Sequence, residues 1–147
     1  EVVRHAAFNK PVLAICVGMQ ALLERSEENG GADALGIFEG VVKHFPDIDG
    51  LKVPHMGWNQ LQPARSPAPA LLQGMPDKPW FYFVHSFYVE TGDPGLVAGE
   101  SEYPRPFTCA IARNNVFAVQ FHPEKSAAAG LRLLANFVRW QPLGEGK

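Results

Sequence analysis

No apolar run in this chain approaches the roughly 20 residues that a membrane-spanning helix requires, and its opening, Glu-Val-Val-Arg-His, has none of the marks of a secretory signal. A soluble, cytoplasmic protein is the expectation. Cysteine is scarce: Cys16 and Cys109 are the whole supply, too few for a disulfide framework, and no Cys/His cluster has zinc-binding spacing. Free thiols in a reducing compartment, and no metal, are expected from that. An excess of one charge is also lacking. Thirteen Lys plus Arg stand against 15 Asp plus Glu, for a net charge of -2, which supplies no field to gather nucleic acid or anionic lipid. Internal repeats and low-complexity tracts are missing too.

What is present suits one globular domain, since 147 residues at 46% hydrophobic content can bury a sizeable core. Val2 to Phe8 reads as the end of a helix. The short apolar run Val12-Leu13-Ala14-Ile15, bounded by Lys10-Pro11 and Gly18, suits a strand buried on both faces. Met19, Leu22 and Leu23 then fall at helical spacing, and Asn29-Gly30-Gly31 supplies a stop, so a helix is expected from about Gly18 to Arg25. From Gly36 to Arg113 the text is β-like, with apolar pieces at Ile37-Val42, Trp80-His85 and Phe107-Ala112. The stretch Pro63 to Pro79 reads as a surface loop, and Arg113-Asn114-Asn115-Val116 as a tight hairpin. A last helix is expected from about Ser126, with Leu131, Leu134, Ala135 and Val138 on its apolar face.

Cys16 sits where the buried run meets the helical pattern. That is the placement of a nucleophile elbow, in which a strained turn lifts the side chain out of the sheet. The helix N-terminus just after it would favour thiolate, and its free N–H groups, that of Val17 above all, would bind an oxyanion. A cysteine inside an apolar run is ordinarily just core, and Cys109 in Thr108-Cys109-Ala110-Ile111 has only that reading. His122-Pro123-Glu124 comes directly after the strand Val116 to Phe121. Pro123 favours extended geometry at His122, so that Glu124 can hold one ring nitrogen while the other faces a nucleophile. Alone that tripeptide is weak evidence; beside a cysteine at an elbow it is much stronger.

Ile15-Cys16-Val17-Gly18-Met19-Gln20 and Gln120-Phe121-His122-Pro123-Glu124-Lys125-Ser126 together resemble the two signature motifs of the class I glutamine amidotransferases, in order and in wide separation. The resemblance covers essentially the whole chain. It implies an α/β, flavodoxin-like parallel sheet with an antiparallel extension, and a catalytic set of Cys16, His122 and Glu124 with no cofactor. L-glutamine would be held by Val17, Gln20 and the backbone around Ser86 and Phe87. Three further segments, Gly36-Ile37-Phe38-Glu39-Gly40-Val41-Val42, Val53-Pro54-His55-Met56-Gly57-Trp58-Asn59 and Tyr82-Phe83-Val84-His85-Ser86-Phe87, are similar to the glutaminases that serve imidazole glycerol phosphate synthesis in the histidine pathway. That narrower similarity implies a (β/α)8-barrel cyclase as partner, with Met56, Trp58, Tyr82 and Lys125 at or near the contact.

Two departures from the family pattern stand out. Ala14 occupies a position where the family usually has Gly, and the first parallel strands and a Gly-rich loop completing the oxyanion hole are expected ahead of residue 1, so residues 1–147 read as a single amidotransferase domain lacking its N-terminal part. Other amidotransferases, a γ-glutamyl hydrolase, and a catalytically silent scaffold domain are the alternative readings.

Overall fold

The computed structural model describes residues 1–142. In chain order the elements are α1 (Val2–Asn9), β1 (Val12–Ile15), α2 (Val17–Gln20), β2 (Arg25–Ser26), β3 (Ala32–Asp33), β4 (Val41–His44), β5 (His55–Gln60), β6 (Gln62–Pro63), β7 (Trp80–His85), β8 (Phe87–Glu90), β9 (Val97–Glu102), β10 (Pro106–Arg113), β11 (Val116–Val119) and α3 (Ala127–Arg139). Nine strands form one sheet in the order β1-β11-β10-β8-β4-β2-β3, with β9 also paired to β10 and β6 to β9; β5 and β7 form a separate antiparallel ribbon.

The expected α/β class holds, and the sheet is mixed. Its parallel pairs are β1/β11 and β2/β4, and the remainder is antiparallel. In the β1/β11 pair Val12 sits opposite Val116 and Ile15 opposite Val119. Both strands therefore end at the same edge of the sheet, and the segments leaving them, Cys16 onward and Gln120 onward, start out side by side. The hairpin that joins β10 to β11 turns at Asn114, whose φ is +53°, a value Asn tolerates better than most residues.

Two hydrophobic clusters cover the faces of the sheet. One gathers Phe81, Phe83, Phe107, Phe117, Phe121 and Leu133; the other gathers Met19, Leu22, Leu23, Val42, Ile111 and Ala118. Phe81 and Phe121 stack at 3.9 Å, which ties the β5/β7 ribbon to the segment just past β11.

Three expectations need correction. The second helix is a single turn, Val17–Gln20, instead of a run to Arg25. Met19, Leu22 and Leu23 are all fully buried, but the carbonyls that a longer helix would use internally accept N–H groups from the loop at residues 35–38, and Arg25 pairs as β2. The Ile37-Val42 piece becomes a strand only from Val41, because Ile37 and Phe38 both donate to Leu22 O. In α3 the apolar stripe is rotated from the expected one: Leu131 is 70% and Val138 83% exposed, while Gly130 and Leu133 are the buried positions. The helix turns its small residue inward because the chain lies so close there. A Cβ on Gly130 would stand 1.8 Å from Pro123 O.

Candidate active site

Cys16 comes immediately after β1 and carries φ +54° and ψ -109°. For a side chain with a Cβ this is a sparsely populated conformation that costs on the order of 1–3 kcal/mol, maintained here from both sides. Its N–H donates to Val119 O at 2.8 Å, and its carbonyl accepts from Gln20 N at 3.3 Å. The strained turn aims the thiol away from the sheet core, and the side chain is only partly buried.

Around the sulfur are Val84 O at 3.9 Å, Gln120 Nε2 at 3.6 Å and the Val17 N–H. Burial pushes the thiol above its ordinary range; the donors Val17 and Gln120 pull it down, the carboxylate of Glu124 raises it further, and the Lys125 ammonium lowers it. The net direction is up. This corrects the expectation of a thiolate favoured by the helix: a four-residue α2 has little dipole, and desolvation outweighs its N–H groups. Cys16 thus needs a base at hand.

His122 is held to the β5/β7 ribbon by its backbone. Its N–H donates to Tyr82 O at 2.9 Å, and its carbonyl accepts the Ser126 hydroxyl at 2.6 Å while the same hydroxyl accepts from Tyr82 N at 2.9 Å. With the backbone fixed, Nδ1 donates to Glu124 Oε2 at 3.0 Å, which leaves Nε2 as the nitrogen able to take a proton. Glu124 reaches His122 from a 3-10 turn, Pro123–Lys125, and not from the extended chain expected there, so the contact owes nothing to the alternation of a strand. Burial resists ionisation of Glu124, but the His122 hydrogen bond, the backbone and the His122 and Lys125 charges prevail and hold its carboxyl below the usual value. The thiol's hydrogen bonds run to Val84, Gln120 and Val17, and not to the His122 ring.

Gln20 is 9% exposed, and its Nε2 donates to Phe87 O at 3.2 Å and to Gln120 Oε1 at 3.0 Å. Gln20 and Phe87 are therefore neighbours, although they are 67 positions apart; Ser86, at the bend between β7 and β8, takes Phe45 N on its carbonyl at 3.1 Å. Met56 and Trp58 are 62% and 51% exposed, Lys125 is exposed and Tyr82 half-buried. Trp58 lies opposite Tyr82 in the ribbon register, and their rings meet edge to face at 5.9 Å. Sequence reasoning passed over Gln120, Ser126 and Gly130. Gln120 at least stands inside the His-Glu motif; the Gln20 to Gln120 link has no signal in a linear reading. Among the described residues no group of three or more His, Cys, Asp or Glu is arranged to hold a metal, and no helix is long and apolar enough to cross a membrane.

The family model for the class I glutamine amidotransferases matches residues 1–140. The chain is 62% identical over 140 residues to the imidazole glycerol phosphate synthase subunit HisH of Acinetobacter baylyi, covering 95% of this chain and 68% of that protein. It is 58% identical over 148 residues to the HisH of Methylococcus capsulatus, covering 97% and 68%. Among solved structures, a glutamine amidotransferase of Thermotoga maritima matches with a TM-score of 0.61 at 15% identity, over 97% of this chain and 56% of that one. The glutaminase domain of Trypanosoma brucei CTPS with bound acivicin matches with a TM-score of 0.62 at 18% identity, over 94% and 64%.

Proposed function

The chain belongs to the class I glutamine amidotransferases, and from that premise we propose that it is the glutaminase part of an imidazole glycerol phosphate synthase, working in the cytoplasm on L-glutamine. The observation that carries the chemistry is the parallel β1/β11 register, which brings the strained Cys16 turn to the sheet edge where the His122–Glu124 pair emerges from β11.

In the reaction, His122 Nε2 takes the thiol proton and the Cys16 thiolate attacks the carboxamide carbon of glutamine. The carbonyl oxygen becomes an oxyanion, met by the Val17 N–H at the elbow. Collapse breaks the C–N bond, the proton on His122 passes to the leaving nitrogen, and ammonia departs from a γ-glutamyl thioester. Water, deprotonated by the same nitrogen, attacks the thioester; glutamate leaves and the thiol is restored. Glu124 orients the ring and steadies its charged form. Because the resting thiol is raised by burial, this base is required at neutral pH. Gln20, Ser86 and the Phe87 backbone hold the amino-acid end of the substrate in this reading.

Free ammonia would be protonated and lost to solvent, so a biosynthetic glutaminase gains from docking its site mouth onto the acceptor enzyme. Met56, Trp58 and Tyr82 offer aromatic and adaptable contact area and Lys125 a cation for a partner carboxylate. The relatives are named as subunits of imidazole glycerol phosphate synthase, which favours another subunit of such a synthase as that partner, and the family resemblance implies a (β/α)8-barrel cyclase in that place. The test is ammonia transfer: with the cyclase present, Trp58→Ala and Lys125→Ala should weaken the complex or raise glutamine consumption over product about tenfold or more, the size of one hot-spot contact. Variants that bind and couple like the parent would remove the docking face and leave only the general amidotransferase activity.

A further inference from the structure

Behind the candidate site lie two buried histidines that the chemistry above does not use. His55, on β5, is 4% exposed, and His85, opposite it on β7, is 6% exposed. The His55 ring is sandwiched between Phe83, at 4.9 Å, and Tyr103, at 4.1 Å. His85 packs against Phe45 and Phe107. Neither ring can turn without displacing its aromatic neighbours.

The hydrogen bonds of the pair form one chain whose polarity is fixed at both ends. At the inner end, Phe87 O can only accept, so His85 Nδ1, 2.7 Å away, carries a hydrogen. His85 Nε2 is then the acceptor of a neutral ring, and His55 Nδ1 donates to it at 2.9 Å. That leaves His55 Nε2 as acceptor. At the outer end, Gln60 N donates to Asn59 Oδ1 at 2.7 Å, which turns the Asn59 amide nitrogen toward His55 Nε2 at 3.2 Å and Glu102 O at 2.9 Å. The inner and outer ends thus impose the same tautomer on each ring. A proton added to either ring would set two N–H groups against each other.

The inner end is also the wall of the candidate glutamine site. Phe87 O takes the Gln20 amide as well as His85, and Gln20 passes to Gln120 and so to the Cys16 sulfur. The outer end stands on β5 between the exposed Met56 and Trp58 and their neighbour Gln60. We infer that His55 and His85 are positioning residues, a tautomer-locked relay that fixes the Phe87 carbonyl and the Gln20 amide and ties them to the exposed strand β5. This rests on the glutaminase reading of the Cys16 site. Burial pushes both rings down to about 4, in His85 against the pull of the Phe87 carbonyl and with the charges of His55 and His122 adding to it. The titratable neighbours are Tyr103 over His55 and His122 near His85; no carboxylate contributes to either shift. The relay should accordingly stay intact throughout the neutral range.

Two measurements on the intact protein test it. Long-range proton–nitrogen NMR should find hydrogen on Nδ1 of both rings and no titration between about pH 5.5 and 8. An Nε2–H tautomer, or a midpoint near 6.5 in either ring, would overturn the relay. In steady-state kinetics His55→Phe, which keeps the stacked ring and removes the hydrogen bonds, should raise KM for glutamine about tenfold and leave kcat within about threefold, one hydrogen bond's worth of substrate positioning. His55→Asn, which restores a donor near the place of Nδ1, should return KM to within about threefold of the parent. A purely structural role would lower Tm in both variants without moving KM. If His55→Phe does not fold, Asn59→Ala breaks the outer link and should raise KM about threefold. Folded variants with unchanged KM sink the positioning role alone, whereas a parent protein without glutamine turnover sinks the glutaminase reading and this role with it.

Discussion

Cys16 stands at the open end of the parallel pair β1/β11, and Cys109 lies in the middle of β10, on the other side of β11. Both come from short apolar runs, Ala14-Ile15-Cys16-Val17 and Thr108-Cys109-Ala110-Ile111. Cys109 is fully buried, takes the Ser101 hydroxyl on its sulfur at 3.4 Å, and is pushed up by burial to about 12. Cys16 is half-buried, sits at positive φ, and has two N–H donors and the neighbouring charges of Glu124 and Lys125 around its sulfur. The contrast teaches that apolar flanks do not decide the chemistry of a thiol here. What decides it is whether the strand continues past the cysteine or ends on it.

The sharpest way to break this contrast is to exchange each sulfur for oxygen. Cys16→Ser should lower glutamine turnover by about 10⁴-fold or more, as loss of a covalent nucleophile does, measured as ammonia release by the intact protein. A loss of less than tenfold would return Cys16 to the core and end its separation from Cys109.

A smaller effect is expected where α3 backs onto the His122 turn. Gly130→Ala would drive its Cβ into Pro123 O and toward Ser126 Cβ at 3.0 Å. Overlap of this kind costs about 1–3 kcal/mol when the backbone has to shift, and the part that shifts here carries His122 and Glu124. Both Tm and turnover should fall, turnover by about tenfold. A variant that loses stability but keeps full activity would show that the His122 turn is not positioned from α3.

The smallest effect on activity belongs to Cys109→Ser, which should keep turnover within about twofold while losing about 1–3 kcal/mol through burial of a hydroxyl. Its pH dependence sharpens the comparison. The folded-state value of Cys109 lies above its ordinary 9.0, so the stability tied to its protonated form is whole below about pH 9. It is lost as pH rises toward 12, at up to about 1.4 kcal/mol per pH unit. Denaturant midpoints measured from pH 8 to 11 should fall more steeply in the parent than in Cys109→Ser.

The strand ending at Ile15, the β7 and β10 strands and the Asn114 hairpin were legible because each rests on local signals: a bounded apolar run, a period of two, or turn residues in sequence. The stretch from Pro63 to Pro79 is only in part the surface loop expected, since Leu71 and Leu72 turn into the core. The one-turn helix and the rotation of α3 were not. Met19, Leu22 and Leu23 have helical spacing but are buried by carbonyls that catch a distant loop, and the α3 stripe was set by the approach of Gly130 to Pro123, which no local pattern records. At the candidate site, Cys16, Val17, His122 and Glu124 were readable from motif chemistry, and Gln20, Ser86 and Phe87 only through the family resemblance. Gln120, Ser126 and the His55–His85 link depend on contacts between residues 30 to 104 positions apart, and only the folded register brings those together.

The central claim is that the strand-end thiol is the nucleophile and the strand-interior thiol is inert. It is tested most directly by treating the intact protein at pH 7.5 with a glutamine-analogue electrophile and mapping the modified peptide by mass spectrometry, with and without excess glutamine. Modification confined to Cys16, slowed by glutamine and absent at Cys109, is the expected result. Equal labelling of both thiols, or labelling of Cys16 that glutamine does not slow, would contradict it.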